Sequence, residues 1–96
     1  MQNKTRQNLV TLSSSQATLV GPIVVHGGTD LTVQNANDEG YIYLGNEYVT
    51  TERYGFRLLP NTAVSFELPA YSTIYAISSV NGMNAAILMT GLEAGS

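Results

Sequence analysis

The clearest pattern in the sequence is a two-residue alternation of apolar and polar side chains. It recurs in the segments DLTVQ (30–34) and VSFEL (64–68), and in the first of these Leu31 and Val33 share one face. As a strand, STIYAIS (72–78) would place Ile74, Ala76 and Ser78 on one side and Tyr75 and Ile77 on the other. Successive side chains of a β-strand point to opposite faces, so this alternation predicts strands with one buried face. No segment shows the apolar spacing and capping residues of a helix of useful length.

Turn-forming residues separate these segments from four further apolar ones. The additional apolar segments are ATLV, IVV, YIYL and AAILM. The turns fall at Gly21–Pro22, His26–Gly28, the run NANDEG from Asn35 to Gly40, Pro60–Asn61 and Asn81–Gly82. Six or seven short strands with regular turns indicate a small antiparallel β-sandwich or barrel. In YIYL we expect Ile42 and Leu44 to face the core and the two tyrosines to face outward.

The first sixteen residues differ from the rest and predict an extended N-terminal arm, residues 1–16, before a single β-sandwich domain, residues 17–96. The arm has two basic residues, a short apolar patch and a serine run; its candidate partner-contacting residues are Lys4, Arg6, Leu9, Val10 and Leu12. Two interpretations have equal weight. The segment is either a loose terminus or one that becomes ordered on a partner through its apolar side chains.

Composition excludes several functions. The net charge is −3 and only 11% of residues are charged, which argues against binding to nucleic acid or to a membrane surface. The chain has no cysteine and one histidine, and no apolar run approaches the length of a membrane span. The polar segment MQNKTRQNLVTLSSSQ does not resemble a secretory signal, so we expect an intracellular product.

The sequence offers no catalytic set. Its carboxylates fall mainly in turns or on polar strand faces, and no serine lies in a nucleophile-elbow sequence. The run NANDEG lacks the spaced ligands of a calcium loop. We therefore expect no enzyme activity, no metal and no cofactor.

Tyrosines are the most distinctive feature, because four of the six lie between residues 40 and 58. Tyrosine combines a large apolar body with a polar tip, which suits protein interfaces and, less often, sugar stacking. Cross-strand packing is slightly favoured for Tyr41 and Tyr43. Tyr48, Arg53 and Tyr54 lie in a polar stretch and are the second group of candidate partner-contacting residues.

The order of segments from Thr32 to Met89 resembles a family of small structural proteins of tailed phages. The resemblance rests on TVQNAN, YIYLGNEYVTT, RYGFRLLPNT, VSFEL, STIYAISS and AAILM, in that order, and covers about two-thirds of the chain. It implies a capsid decoration (cement) protein, which is assembled in the host cytoplasm and located on the capsid surface of the virion. Its partner would be the major capsid protein, and its expected state is a homotrimer.

Two alternatives stay open. Similar small β modules serve as adaptors in the tail, the baseplate or a head fibre, and copy number per particle would distinguish them. A carbohydrate-binding surface module would use Tyr48, Tyr54 and Tyr71 as stacking platforms, although the chain has no tryptophan.

Overall fold

The computed structural model describes residues 3–20, 29–69 and 72–92. Within these ranges all regular structure is β, with no helix, which confirms the predicted fold class. The strands are β1 (Asn3–Thr11), β2 (Thr18–Leu19), β3 (Thr29–Asn35), β4 (Ile42–Gly45), β5 (Phe56–Leu58), β6 (Ala63–Leu68), β7 (Tyr75–Ser78) and β8 (Asn84–Leu92). The predicted strand IVV and the predicted turn at His26–Gly28 lie outside the described residues.

The strands form two four-stranded antiparallel sheets that pack face to face. Sheet A has the order β1-β8-β3-β6, and sheet B has the order β2-β7-β4-β5. The first strand pairs with the last, the second with the seventh, the third with the sixth and the fourth with the fifth. This arrangement, an antiparallel hairpin folded over into two sheets, is the jelly-roll topology.

The core between the sheets follows the alternation in the sequence. Leu31 and Val33 of β3 are buried, and Thr32 and Gln34 point away from the core, as predicted. From sheet B, Ile42 and Leu44 reach the same core, and they are joined there by Ala76 of β7. Burial of large apolar side chains, at about 1.5–3 kcal/mol each, is the main stabilising contribution.

The predicted arm differs from the structure. Residues 3–11 form β1, which pairs with β8 along its whole length, from Asn3 opposite Leu92 to Thr11 opposite Asn84. Leu12 follows the strand and is only 2% exposed, within the core cluster. The sequence of β1 conceals this role because it is an edge strand, with few of the β-branched and aromatic residues that mark most strands.

An asparagine network closes the end of the sandwich at which β3 finishes. Asn35, predicted as a turn residue, ends β3 and is fully buried. Its Nδ2 donates to the carbonyl oxygens of Gly40 (3.1 Å) and Leu58 (3.2 Å), and its Oδ1 accepts from Asn37 Nδ2 (2.7 Å). Asn37 Nδ2 also donates to the Asn84 carbonyl oxygen at 2.8 Å. The network therefore ties β3, β5, β8 and the β3–β4 turn together.

Candidate functional site: an uncovered sheet face and a stiff loop

The two groups of predicted partner-contacting residues lie on different sheets. Lys4 and Arg6 belong to β1, where their backbones pair with Gly91 and Met89 at the edge of sheet A. Tyr48, Arg53 and Tyr54 lie in residues 46–55, which connect β4 to β5 of sheet B. The two groups therefore do not form one site.

The apolar patch predicted for the arm is divided between solvent and the core. Leu9 is 61% exposed, whereas Val10 is half-buried and packs against the core. Leu12 is buried within that core. Alternation along a strand sends neighbouring side chains to opposite faces, so only Leu9 of the three is free for contact with a partner.

Leu9 belongs to an uncharged area on the outer face of sheet A, which we call the sheet A face. The pairing of the four strands aligns the outward-facing residues of this area in two rows. The first row is Leu9, Ala86, Gln34 and Ala63, and the second is Gln7, Leu88, Thr32 and Ser65. A shallow groove of about 450 Å³ runs along it.

The sheet A face includes residues that the sequence did not single out. Leu88 is 44% exposed in the middle of β8, although AAILM reads as a continuously buried strand. In the sequence, the polar positions Thr32 and Gln34 indicated the outward side of β3. Nothing in the sequence indicated which residues of the other strands would lie beside them. The next row of the β3–β6 pair is charged, because Asp30 lies opposite Glu67 there, and it borders the uncharged sheet A face.

The opposite face of the sandwich, the outer side of sheet B, is partly covered. Tyr43 and Ile77 point outward from sheet B and are buried beneath Val49 of the β4–β5 loop. The sequence correctly predicted that Tyr43 points outward from the sheet, but it did not indicate that a loop would bury this side chain. Gly45 leaves room for this approach, because a Cβ there would lie 3.1 Å from a Val49 methyl group, closer than ordinary van der Waals contact.

The β4–β5 loop is fixed by its own hydrogen bonds. The Tyr48 amide donates to Asn46 Oδ1 at 2.9 Å, and the Arg53 amide donates to Thr50 Oγ1 at 2.9 Å. The Thr50 amide donates to the Arg53 carbonyl oxygen at 2.8 Å. Side-chain to backbone bonds of this kind stabilise tight turns in short polar segments. Residues 49–51 (VTT) therefore belong to the loop, and the Val49 and Thr50 amides are bonded within it.

Two tyrosines differ in how the loop holds them. The Tyr54 ring packs against Tyr43 with ring centroids 4.6 Å apart, and it is 44% exposed. Tyr48 is 77% exposed. Together with Arg53 they line a hollow of about 380 Å³, which Gly45 and Gly55 also line.

The described residues offer neither a metal-ligand cluster nor a membrane-spanning helix. The described residues contain no group of three or more histidine, cysteine or acidic side chains that could hold a metal ion. No helix within the same ranges is long and apolar enough to cross a membrane.

The fold defines the chain as a small jelly-roll β-sandwich. Comparison of the chain with protein-family models, curated proteins and solved structures finds no match.

Proposed function

We propose that the protein is a structural virion protein that decorates the outer surface of a tailed-phage capsid and stabilises it through non-covalent contacts with the major capsid protein. Two observations support this. The segments that carry the phage resemblance coincide with β3 to β8, six of the eight strands. Jelly rolls are also a recurrent architecture of viral capsid proteins, although fold alone does not fix function.

The observation that carries the proposal is the sheet A face. Depletion of charge with retained apolar area is the signature of the central part of a protein interface. Here Leu9 and Leu88 lie exposed in two rows without a single charged side chain. The outer side of sheet B is partly covered by its own loop, so the sheet A face is the natural docking surface.

The size of the sheet A face suits a repeated contact. Four strands about 4.8 Å apart and two rows about 6.8 Å apart give roughly 260 Å². A standard protein interface buries about 800 Å² per partner, so one such contact is weak on its own. Many copies on a repeating lattice, each a homotrimer, gain strength from the high effective concentration of every further contact.

The test measures where the protein occurs in virions of the phage that encodes it. Heads and tails are separated, and the copies per particle are quantified with an antibody against the purified chain. Decoration predicts many copies on heads and saturable rebinding of purified protein to stripped heads. A few copies confined to tails would replace decoration with the adaptor role, and absence from both fractions would refute a virion protein.

Variants test the role of the sheet A face. Leu9→Glu and Leu88→Glu place a charge in the two rows and are expected to weaken head binding at least about tenfold. Val80→Glu is the matched control, because Val80 is 60% exposed at the β7–β8 turn, outside the face. Equal binding by all three folded variants would show that another surface makes the contact. The trimer is checked by light scattering; a monomer in solution and on the head would contradict it.

A further inference from the structure

We propose that the hollow in the β4–β5 loop is a binding site for a hexose ring of a neutral saccharide. The inference concerns the isolated chain and does not rest on the proposed virion role. It is consistent with that role, because the loop lies on the outer side of sheet B, away from the sheet A face. A copy docked through sheet A would present the hollow to solvent.

The hollow is preformed. Val49 anchors the loop from below and is only 4% exposed. The Gly55 amide donates to the Leu44 carbonyl oxygen at 2.8 Å, and the Val49 amide donates to the Asn46 carbonyl oxygen at 3.0 Å. A loop held at its base and in its middle loses little conformational entropy when a ligand binds, which favours recognition of a small molecule.

The walls of the hollow match the two surfaces of a sugar. A hexose has a face of C–H groups and a rim of hydroxyls. Tyr48 and Tyr54 offer apolar ring surface at 77% and 44% exposure, and each ends in a hydroxyl. Arg53 is exposed and carries up to five N–H donors, which suit neighbouring oxygen atoms.

Charge distinguishes among possible ligands. Residues 46–55 contain Glu47, Glu52 and Arg53, so the loop carries a net charge of −1 (one basic minus two acidic side chains). Both glutamates are exposed. Neither glutamate lines the hollow, and the charged residue that does is Arg53. The Arg53 guanidinium can donate to the hydroxyl oxygens of a neutral sugar, and the two carboxylates elsewhere in the loop offset its attraction for an anion.

The shape of the hollow favours a saccharide over a protein segment. Its volume of about 380 Å³ is at the lower end of the range for small-molecule sites, which span roughly 300–1,000 Å³. A concave hollow can enclose a small molecule, whereas protein contacts use broader and flatter surfaces such as the sheet A face. We therefore assign the protein-docking role to the sheet A face and the ligand role to this loop.

Saturation-transfer NMR on the purified full chain tests the inference. The probes are glucose, galactose, mannose and N-acetylglucosamine, with glucose-6-phosphate as the anionic comparison. At least one neutral sugar is expected to bind with a millimolar Kd, the weak end of specific recognition, and to bind better than the phosphorylated sugar. Tyr48→Ala and Arg53→Ala are each expected to weaken that binding about tenfold.

A matched control exists on the same sheet. Tyr41 is 38% exposed and the Arg57 guanidinium carbon lies 5.1 Å from its ring centre, so this pair offers the same groups outside the hollow. Tyr41→Ala is expected to leave sugar binding unchanged. Failure of all four neutral sugars to bind, or unchanged binding by Tyr48→Ala, would overturn the inference. Loss of head binding in Tyr48→Ala without sugar binding would instead assign the loop to a protein contact.

Discussion

Replacing Asn35 tests whether the asparagine network specifies this end of the sandwich. Asn35→Ala removes three side-chain hydrogen bonds, two donated to the carbonyl oxygens of Gly40 and Leu58 and one accepted from Asn37. A typical intramolecular hydrogen bond contributes about 0.5–1.5 kcal/mol net, and buried groups left without a partner cost more. We expect a loss of about 3 kcal/mol in the free energy of unfolding.

That loss is large for a chain of this length. Stabilities of about 0.05–0.15 kcal/mol per residue give this chain roughly 5–14 kcal/mol in total. Urea unfolding followed by tyrosine fluorescence measures the change, since the chain has six tyrosines and no tryptophan. The midpoint should fall while the slope stays constant, because the mutation alters stability and not the surface exposed on unfolding. The thermal midpoint should fall by roughly 12–24 °C.

Two further variants separate hydrogen bonding from volume. Asn35→Asp keeps the shape but turns carboxylate oxygens toward two carbonyl oxygens, so it should destabilise at least as much as Asn35→Ala. Asn81→Ala is the matched control, since Asn81 is exposed in the β7–β8 turn, and it should cost under about 0.5 kcal/mol. If Asn35→Asp were tolerated, or if Asn35→Ala lost no more than the control, the network would not be a stabilising element.

Three other outcomes follow from the packing. Gly40→Ala should cost about 2 kcal/mol and Gly82→Ala about 1 kcal/mol, measured by urea midpoint. Both have positive φ, but the new Cβ at Gly40 would also lie 2.8 Å from Sδ of the Met83 side chain, whose flexible end would have to shift; equal losses would show that this contact adds no cost. Deleting residues 1–12 should abolish cooperative unfolding seen by circular dichroism, because it removes β1 and part of the core. An unchanged midpoint would show that this segment is not needed for folding, as expected of an arm. Val49→Ala should cost roughly 2 kcal/mol and speed amide hydrogen exchange in the β4–β5 loop, and unchanged exchange would show that Val49 does not anchor it.

The β4–β5 loop shows which features of a candidate site local sequence patterns can predict. The sequence predicted that Tyr48, Arg53 and Tyr54 form an exposed group, because aromatic residues in a polar, turn-rich stretch have no apolar periodicity to bury them. It did not predict the hollow between them, which depends on Val49 reaching back over Tyr43. That contact joins a loop to a sheet face, and nothing in the spacing of residues along the loop specifies it.

What the sequence determined by itself is the all-β class, the inward face of β3 and the turns near residues 36–40, 60–61 and 81–82. A period of two and a run of turn-forming residues are both properties of neighbouring residues. The tertiary structure alone decided which strands pair. Pairing made β1 the edge of sheet A rather than an arm, aligned Leu9 with Ala86 and Gln34, and buried Asn35. Strand pairing joins residues far apart in the chain, so its free energy depends on the whole fold and leaves little trace in any one segment.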